Sequence, residues 1–382
     1  MVLSVGRKAW DHGAAPRDRR RLDTHTLYRI RWPVMNTTSA PVMSDCDVDD
    51  TPSLSQLDDR PIRNDLLTTI QPGGGVVMSM ELAWGRLRRF LLRTFRPGYV
   101  AKMRSARLGT AGDIPIDPVD ARDVKFYRNQ PTYHWAAEDD RFAWRGQLPF
   151  VRDGLGELIV LGGGSILIAA AMFYLAMATP LIGSVLFGIA GVFGVLVAGW
   201  IGWFFRNPSR DVPAGPGVVV SPADGKLVLI EPYDDPRLGR CMRFGIFLSI
   251  FNVHANRAAI AGEVVAVDYR PGKMLNALRD ESTRENENLD LLIQPTESTG
   301  RVYMIRQITG QFARRIVCGA KVGDRLDRGE MYGMIKLGSR TELILPDDGD
   351  LSVVAKIGDK VSAGTTVMAH YDDKSLSTEP SS

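Results

Sequence analysis

From Leu158 to Phe205 the chain carries no charged residue, and within this apolar run Pro180 is the only proline. Each half, Leu158 to Thr179 and Leu181 to Phe205, meets the roughly 20 residues a helix needs to cross a bilayer. Buried in lipid, such a segment has to satisfy its backbone polar groups internally, which predicts two helices joined at Pro180. Gly162, Gly163 and Gly164 weaken a soluble helix but suit close helix packing in lipid. Arg141, Arg145 and Arg152 precede the run and Arg206 and Arg210 follow it. A hairpin with both ends on the cytoplasmic side satisfies the positive-inside rule. A hairpin buried in a soluble protein and a re-entrant hairpin are the alternatives.

The rest of the chain reads differently on either side of this run. Residues 1–78 are rich in Arg, Asp, Ser, Thr and Pro with little periodicity, which predicts a disordered leader without the apolar core of a signal peptide. In 79–150, Leu82, Leu87, Phe90, Leu91 and Phe95 share a helical face with Arg86, Arg89, Arg93 and Arg96 nearby, the pattern of an amphipathic helix on an anionic membrane or on protein. After the hairpin (151–206), residues 207–372 break into short β-branched and aromatic runs cut by Gly, which predicts a mainly β domain. Residues 373–382 form a polar tail. Within the β domain AKVGDRLDRGEMYGMI from Ala320 and AKIGDKVSAGTTVMAH from Ala355 align Gly323 with Gly358 and Gly329 with Gly364. Such Gly-Asp turns feeding hairpins predict a flattened β-sandwich of the barrel-sandwich kind, with an internal hairpin near-repeat.

Composition excludes several functions. With charged residues at 24% and a formal net charge of +3 there is no strong electrostatic specialisation, and no nucleic-acid partner is expected. Cys46, Cys241 and Cys318 have neither metal-ligand spacing nor a disulfide framework, and His12, His25, His134, His254 and His370 form no zinc motif, so no metal is expected.

One tripeptide stands out, Leu337-Gly338-Ser339, set between a strand-like run and Arg340. A Gly-Ser pair in a sheet is commonly a bulge or turn. Chemically it can do more. Gly338 lacks a Cβ, so the Ser339 hydroxyl can approach its carbonyl, and attack followed by an N-to-O acyl shift gives an ester. β-Elimination of that ester frees a chain ending at Gly338 and leaves dehydroalanine, which hydrolyses to a pyruvoyl group. A ketone of this kind forms a Schiff base with a substrate amine and accepts electrons as a carboxylate leaves.

The blocks SPADGKLVLIEP (Ser221 to Pro232), FGIFLSIFNVHANRAAIAGEV (Phe244 to Val264), YRPGKMLNA (Tyr269 to Ala277), GQFARRIV (Gly310 to Val317) and GEMYGMIKLGSR (Gly329 to Arg340) stand in a distinctive order and spacing. The chain from Arg145 to Tyr371, including the lead-in FFRNPSRDVP, resembles the short-form phosphatidylserine decarboxylases, which are self-cleaving and pyruvoyl-dependent. The resemblance implies decarboxylation of phosphatidylserine to phosphatidylethanolamine and CO2. It makes Ser339 the precursor of a self-derived pyruvoyl cofactor and Gly338 the new C-terminus, so that the partners are the lipid, the bilayer and the chain's own α and β fragments. It makes His254 the catalytic histidine and Asp224 its acidic partner, which agrees with the need for an oriented base beside a serine hydroxyl. Taken alone, His254 could be a core histidine and Asp224 an ordinary turn residue.

Two departures from the family pattern appear. Long-form relatives have a second histidine three residues after the first, where this chain has Arg257 in HANR; Asn256 and Arg257 become candidates for contacting the lipid phosphate or carboxylate. Glu285-Asn286-Glu287-Asn288 lacks an arginine usual in the family's acidic loop, and nothing catalytic is read from it. The expected location is the inner cell membrane with the catalytic domain on its cytoplasmic side. Two competing functions remain, a lipoyl- or biotinyl-like carrier with Lys336 as its modified lysine, and a non-catalytic membrane-anchored β domain.

Overall fold

The computed structural model describes residues 76–109, 117–123, 135–277, 279, 281–296, 301–311, 315–336 and 338–372. The expected leader, apart from residues 76–78, and the polar tail lie outside the described residues. The chain opens with helices α1 (Val76–Phe95) and α2 (Pro97–Ser105). Short 3₁₀ turns lead to α3 (Arg152–Ala178) and α4 (Leu181–Phe204), with a π-helical turn at Leu158–Gly162 where the glycine cluster begins. Pro180 separates the two long helices, since it has no N–H to continue the first and presets the second. The hairpin closes at its foot, where the Val151 N–H donates to the Phe205 carbonyl at 2.8 Å and the Asn207 N–H to Pro149 at 2.8 Å. The outer side chains of α3 and α4 are apolar and exposed, among them Leu167, Met177, Leu181, Ile189 and Phe193.

The β domain contains β1 (Val218–Val220), β2 (Gly225–Asp235), β3 (Gly239–Leu248), β4 (Ala255–Arg257), β5 (Gly262–Arg270), a short helix α5 (Glu281–Glu285), β6 (Asn288–Pro295), β7 (Tyr303–Ile308) and β8 (Arg315–Cys318). It continues with β9 (Arg325–Leu326), β10 (Met331–Lys336), β11 (Ser339–Pro346), β12 (Leu351–Val353), β13 (Lys360–Val361) and β14 (Val367–Tyr371). Eight strands form a curled sheet in the order β13-β2-β3-β11-β7-β6-β5-β9, beside the smaller sheets β4-β10-β8 and β1-β14-β12. The fold is therefore mainly β behind an apolar helical hairpin, as the residue patterns predict.

Alternation sorts the central strands into two faces. One carries Met242, Phe244, Ile246, Leu289, Leu291, Ile293, Ile305, Leu343 and Leu345, all in the main core. The opposite face holds buried charge, with Asp290 bound by Arg306, Arg270 and Arg237. The near-repeat is real in three dimensions. Gly323 and Gly358, both at positive φ, donate to Val264 and Leu227 at 2.8 Å each, and the Lys321 and Lys356 N–H groups reach Asp324 and Asp359 in the same way.

Candidate active site

Ser339 is the first residue of β11, fully buried, and its Oγ has no hydrogen-bond partner among the described residues. The residue before it, Gly338, has φ +62°, a conformation open to glycine and costly for most others. The carbonyl of Gly338 lies against Gly310, where a Cβ would collide with it, so position 310 needs glycine for this close backbone approach. The position of the pair follows from register. Ser339 pairs with Leu248 of β3 and Arg340 with Ile308 of β7, and one further step puts Thr309 beside Ser339. The Thr309 N–H and Oγ1 both donate to the Glu287 carbonyl, at 3.0 and 3.1 Å. Glu287, Thr309, Ser339 and Leu248 thus share one rung of the sheet, and residues on a rung present their side chains to one face.

That face is the core face, and here it turns polar. Two residues along β11, Thr341 accepts from Asn256 Nδ2 at 3.0 Å, and Gln307 Nε2 donates to Asn256 Oδ1 at 2.9 Å. Among the described residues Gln307 Oε1 and Glu287 Oε1 are buried without a partner, like Ser339 Oγ. Buried polar groups are normally satisfied, so this concentration of uncovered donors and acceptors marks a place built for a polar ligand or reaction. Burial raises the Glu287 carboxyl to about 8 despite Arg315 nearby, so it is a neutral acid at pH 7.

His254 precedes β4, and its carbonyl accepts from the Ile335 N–H at 3.3 Å, four residues ahead of Ser339. Its ring is buried and packs on Phe204 at 4.4 Å between centroids. Nδ1 lies 3.0 Å from the Asn252 carbonyl, which assigns the proton to Nδ1 and leaves the Nε2 lone pair without a partner among the described residues. Burial is the main cause that lowers the imidazole to about 4, with Arg206 adding to it, so the ring is neutral at pH 7.

The expected Asp224–His254 bond is replaced by other partners on both sides. Asp224 receives Arg210 Nη2 on both oxygens at 2.8 Å and the Ala363 N–H at 2.7 Å. The PADG turn faces the junction after the hairpin and the turn before β14, while a backbone carbonyl sets the tautomer of His254. Arg257 donates to Gly329, Asn207 and Pro208, at 2.8, 2.6 and 3.2 Å, so its fork is engaged by the junction. Asn256, its neighbour, is turned into the polar patch. Lys336 is the last residue of β10 and only 4% exposed, so the carrier reading has no lysine at a hairpin tip there. Glu287, Thr309, Gln307 and Thr341 escaped sequence reasoning. Their common signal, polar residues at core-facing positions of strands, appears only once register is known.

A family model described as phosphatidylserine decarboxylase matches residues 197–369. The chain is 58% identical over 250 residues to a phosphatidylserine decarboxylase proenzyme of Rhodopirellula baltica, covering 65% of this chain and 99% of that protein. Proteins of the same description from Nitratidesulfovibrio vulgaris and Cupriavidus pinatubonensis are 46% and 43% identical, over 44% of this chain and 75% and 77% of theirs. Near-complete coverage of a relative at this identity, together with the β fold, shows that the chain belongs to the phosphatidylserine decarboxylase family and is an enzyme of that type.

Proposed function

We propose that this chain is a proenzyme that converts phosphatidylserine to phosphatidylethanolamine and CO2, using a pyruvoyl group that it makes from Ser339 by cutting itself after Gly338. The observation that carries the reading is the buried, unpartnered Ser339 Oγ directly after a glycine at positive φ. In the first step Oγ attacks the Gly338 carbonyl carbon, His254 Nε2 takes the hydroxyl proton, and the peptide C–N bond breaks to give an ester and a free amine. Loss of the Ser339 Cα proton then expels the Gly338 carboxylate, and water replaces the resulting enamine nitrogen, releasing ammonia. The larger chain ends at Gly338 and the smaller begins with the pyruvoyl. That group supplies a ketone that condenses with the substrate amine and draws in electrons as CO2 departs.

The residues around Ser339 divide the remaining work. Asn256, held between Thr341 and Gln307, lines the pocket for the serine headgroup, and Gln307 Oε1 is an open acceptor for its amine. Asp224 supports maturation by holding the PADG turn to Arg210 and Ala363, and Arg257 fixes the junction. The lipid reaches the site along the hairpin, which crosses the inner membrane with both ends cytoplasmic. At 1.5 Å per residue α4 is about 36 Å long, enough for a hydrocarbon core of about 30 Å. At its foot Trp203 Nε1 donates to the Phe251 carbonyl at 3.1 Å and Arg206 stacks 3.8 Å over the Trp203 ring, an arrangement suited to the interface. Ile250 and Phe251 are exposed there, at the start of the loop that carries His254. A denaturing gel with mass spectrometry tests the reading. Wild type should give two chains with a pyruvoyl on the smaller one, and Ser339→Ala should stay intact and inactive. A small chain starting with an unmodified serine in active enzyme refutes it.

A further inference from the structure

Lys336 and Arg315 face each other across the β10–β8 ladder, two residues before the Gly338–Ser339 bond. Like charges directly opposite in a sheet repel, and these side chains are only 4% and 1% exposed. The cations are neutralised from outside the β domain. Glu81 of α1 places Oε1 2.8 Å from Lys336 Nζ and Oε2 3.2 Å from Arg315 Nη2. Glu157, at the foot of α3, closes the cluster with a second bond to Lys336 Nζ. Both carboxylates lie outside residues 197–369, the part that the family model matches.

The helix that brings Glu81 has no fully buried apolar side chain among its described residues, and ion pairs hold its inner side. Its inner side carries Arg88 and Arg89, bonded to Asp120 and Asp123, whereas Met80, Trp84, Leu87, Leu91 and Phe95 are exposed on the other. Removing one partner from a buried ion pair leaves an uncompensated charge, which is strongly disfavoured. In this chain that charge sits on the residue that leads into the scissile turn.

We infer that Glu81 and Glu157 form a clamp on Lys336 that fixes the end of β10 and so sets the Gly338–Ser339 bond for self-cleavage. Glu81 is a positioning residue: the helical arm in front of the hairpin is a working part of maturation. The inference rests on the self-cleavage reading above, and its test separates the two.

The full-length chain is made by cell-free synthesis with phosphatidylglycerol–phosphatidylethanolamine vesicles, and the half-time of cleavage is followed on denaturing gels. Glu81→Gln should slow cleavage about tenfold or more, equal to about 1.4 kcal/mol on the barrier. Glu157→Gln should act in the same direction. The double variant Glu81→Gln/Lys336→Met should be no slower than the slower single variant, because both changes break one interaction. If Glu81→Gln fails to fold, Glu81→Asp carries the test, with cleavage slowed while the unfolding temperature is kept. Variants that mature at the wild-type rate, or single effects that multiply in the double variant, overturn the clamp. A wild-type chain that never yields a small fragment overturns the self-cleavage reading instead.

Discussion

Replacing Gly310 by Ala adds one methyl group at the most crowded point of the site. The new Cβ would lie 2.7 Å from the Gly338 carbonyl carbon and 3.5 Å from the Ser339 nitrogen, with the carbonyl oxygen closer still. Every atom in that contact is backbone, so no side chain can rotate away, and the two segments have to part by roughly 1–2 Å to reach ordinary contact distance. Overpacking of this kind costs about 1–3 kcal/mol. For a domain of this size that lowers the unfolding temperature by roughly 2–4 °C per kcal/mol, which leaves the chain folded at room temperature. The effect on chemistry is larger. Attack needs the hydroxyl oxygen about 3–3.5 Å from the carbonyl carbon, and a misplacement near 1 Å can cost about a hundredfold in rate. The assay is a pulse-labelled synthesis of the full chain, sampled on a denaturing gel, beside a thermal melt of the purified protein. The expected outcome is a folded precursor that matures on the order of a hundred times more slowly. Maturation of Gly310→Ala at the wild-type rate would refute the argument that this carbonyl is held by backbone contact.

Other predictions concern the buried titratable groups and the new carbonyl. Above pH 6.5 His254 is neutral in both folded and unfolded chains; as pH falls toward 4 only the unfolded chain takes the proton, so up to about 3 kcal/mol of stability is lost through that window. His254→Gln should flatten this acid limb in denaturant titrations and abolish or strongly slow cleavage. Glu287 has the opposite sign: its folded value near 8 lies above the unfolded one, so the stability it lends is full below about 4.5 and lost as pH rises through 8. Glu287→Gln should flatten the fall in stability between about pH 4.5 and 8 in the same titration, and an unchanged slope there refutes the assignment. Borohydride added with phosphatidylserine should trap the lipid on the small chain beginning at residue 339, and phenylhydrazine should inactivate by capturing the same carbonyl. An adduct on Lys336 would contradict the pyruvoyl mechanism.

How much of this was legible in the sequence depends on the range of the interaction involved. Helix length and the Pro180 break are local, and α3 and α4 end within two residues of it. The Gly-Asp turns are also local, and Gly323 and Gly358 have the positive φ that such turns require. The setting of Ser339 is not local. Its rung is assembled from Leu248, Thr309 and Glu287, separated by 91, 30 and 52 positions along the chain, and a one-residue slip in any pairing would move these side chains to the other face. Glu81 is still further away, 255 positions before Lys336, and no motif in α1 announces its partner, because a single Glu on a helix is ordinarily a solvated surface residue.

The same logic explains why sequence left the roles of Asn256 and Arg257 undecided. Both are polar, adjacent and chemically able to hold a carboxylate, and only strand alternation separates them. Along β4 and the two residues before it, Val253 and Ala255 pack against Phe204, Phe205, Val317 and Met334 at the foot of the hairpin. Arg257 continues that side and reaches Asn207 and Pro208, while Asn256 points the other way to Thr341 and Gln307. A single three-residue strand therefore ties the apolar hairpin to the polar patch beside Ser339. Arg210 extends the same tie to Asp224 across the junction. Loss of the Arg257 fork should loosen the hairpin from the domain, whereas loss of the Asn256 amide should alter the pocket itself. In Arg257→Gln, KM for phosphatidylserine in vesicles should rise while kcat holds. In Asn256→Ala, kcat should fall even on dispersed short-chain substrate, and the reverse pattern would mean that the two residues have been assigned to the wrong faces.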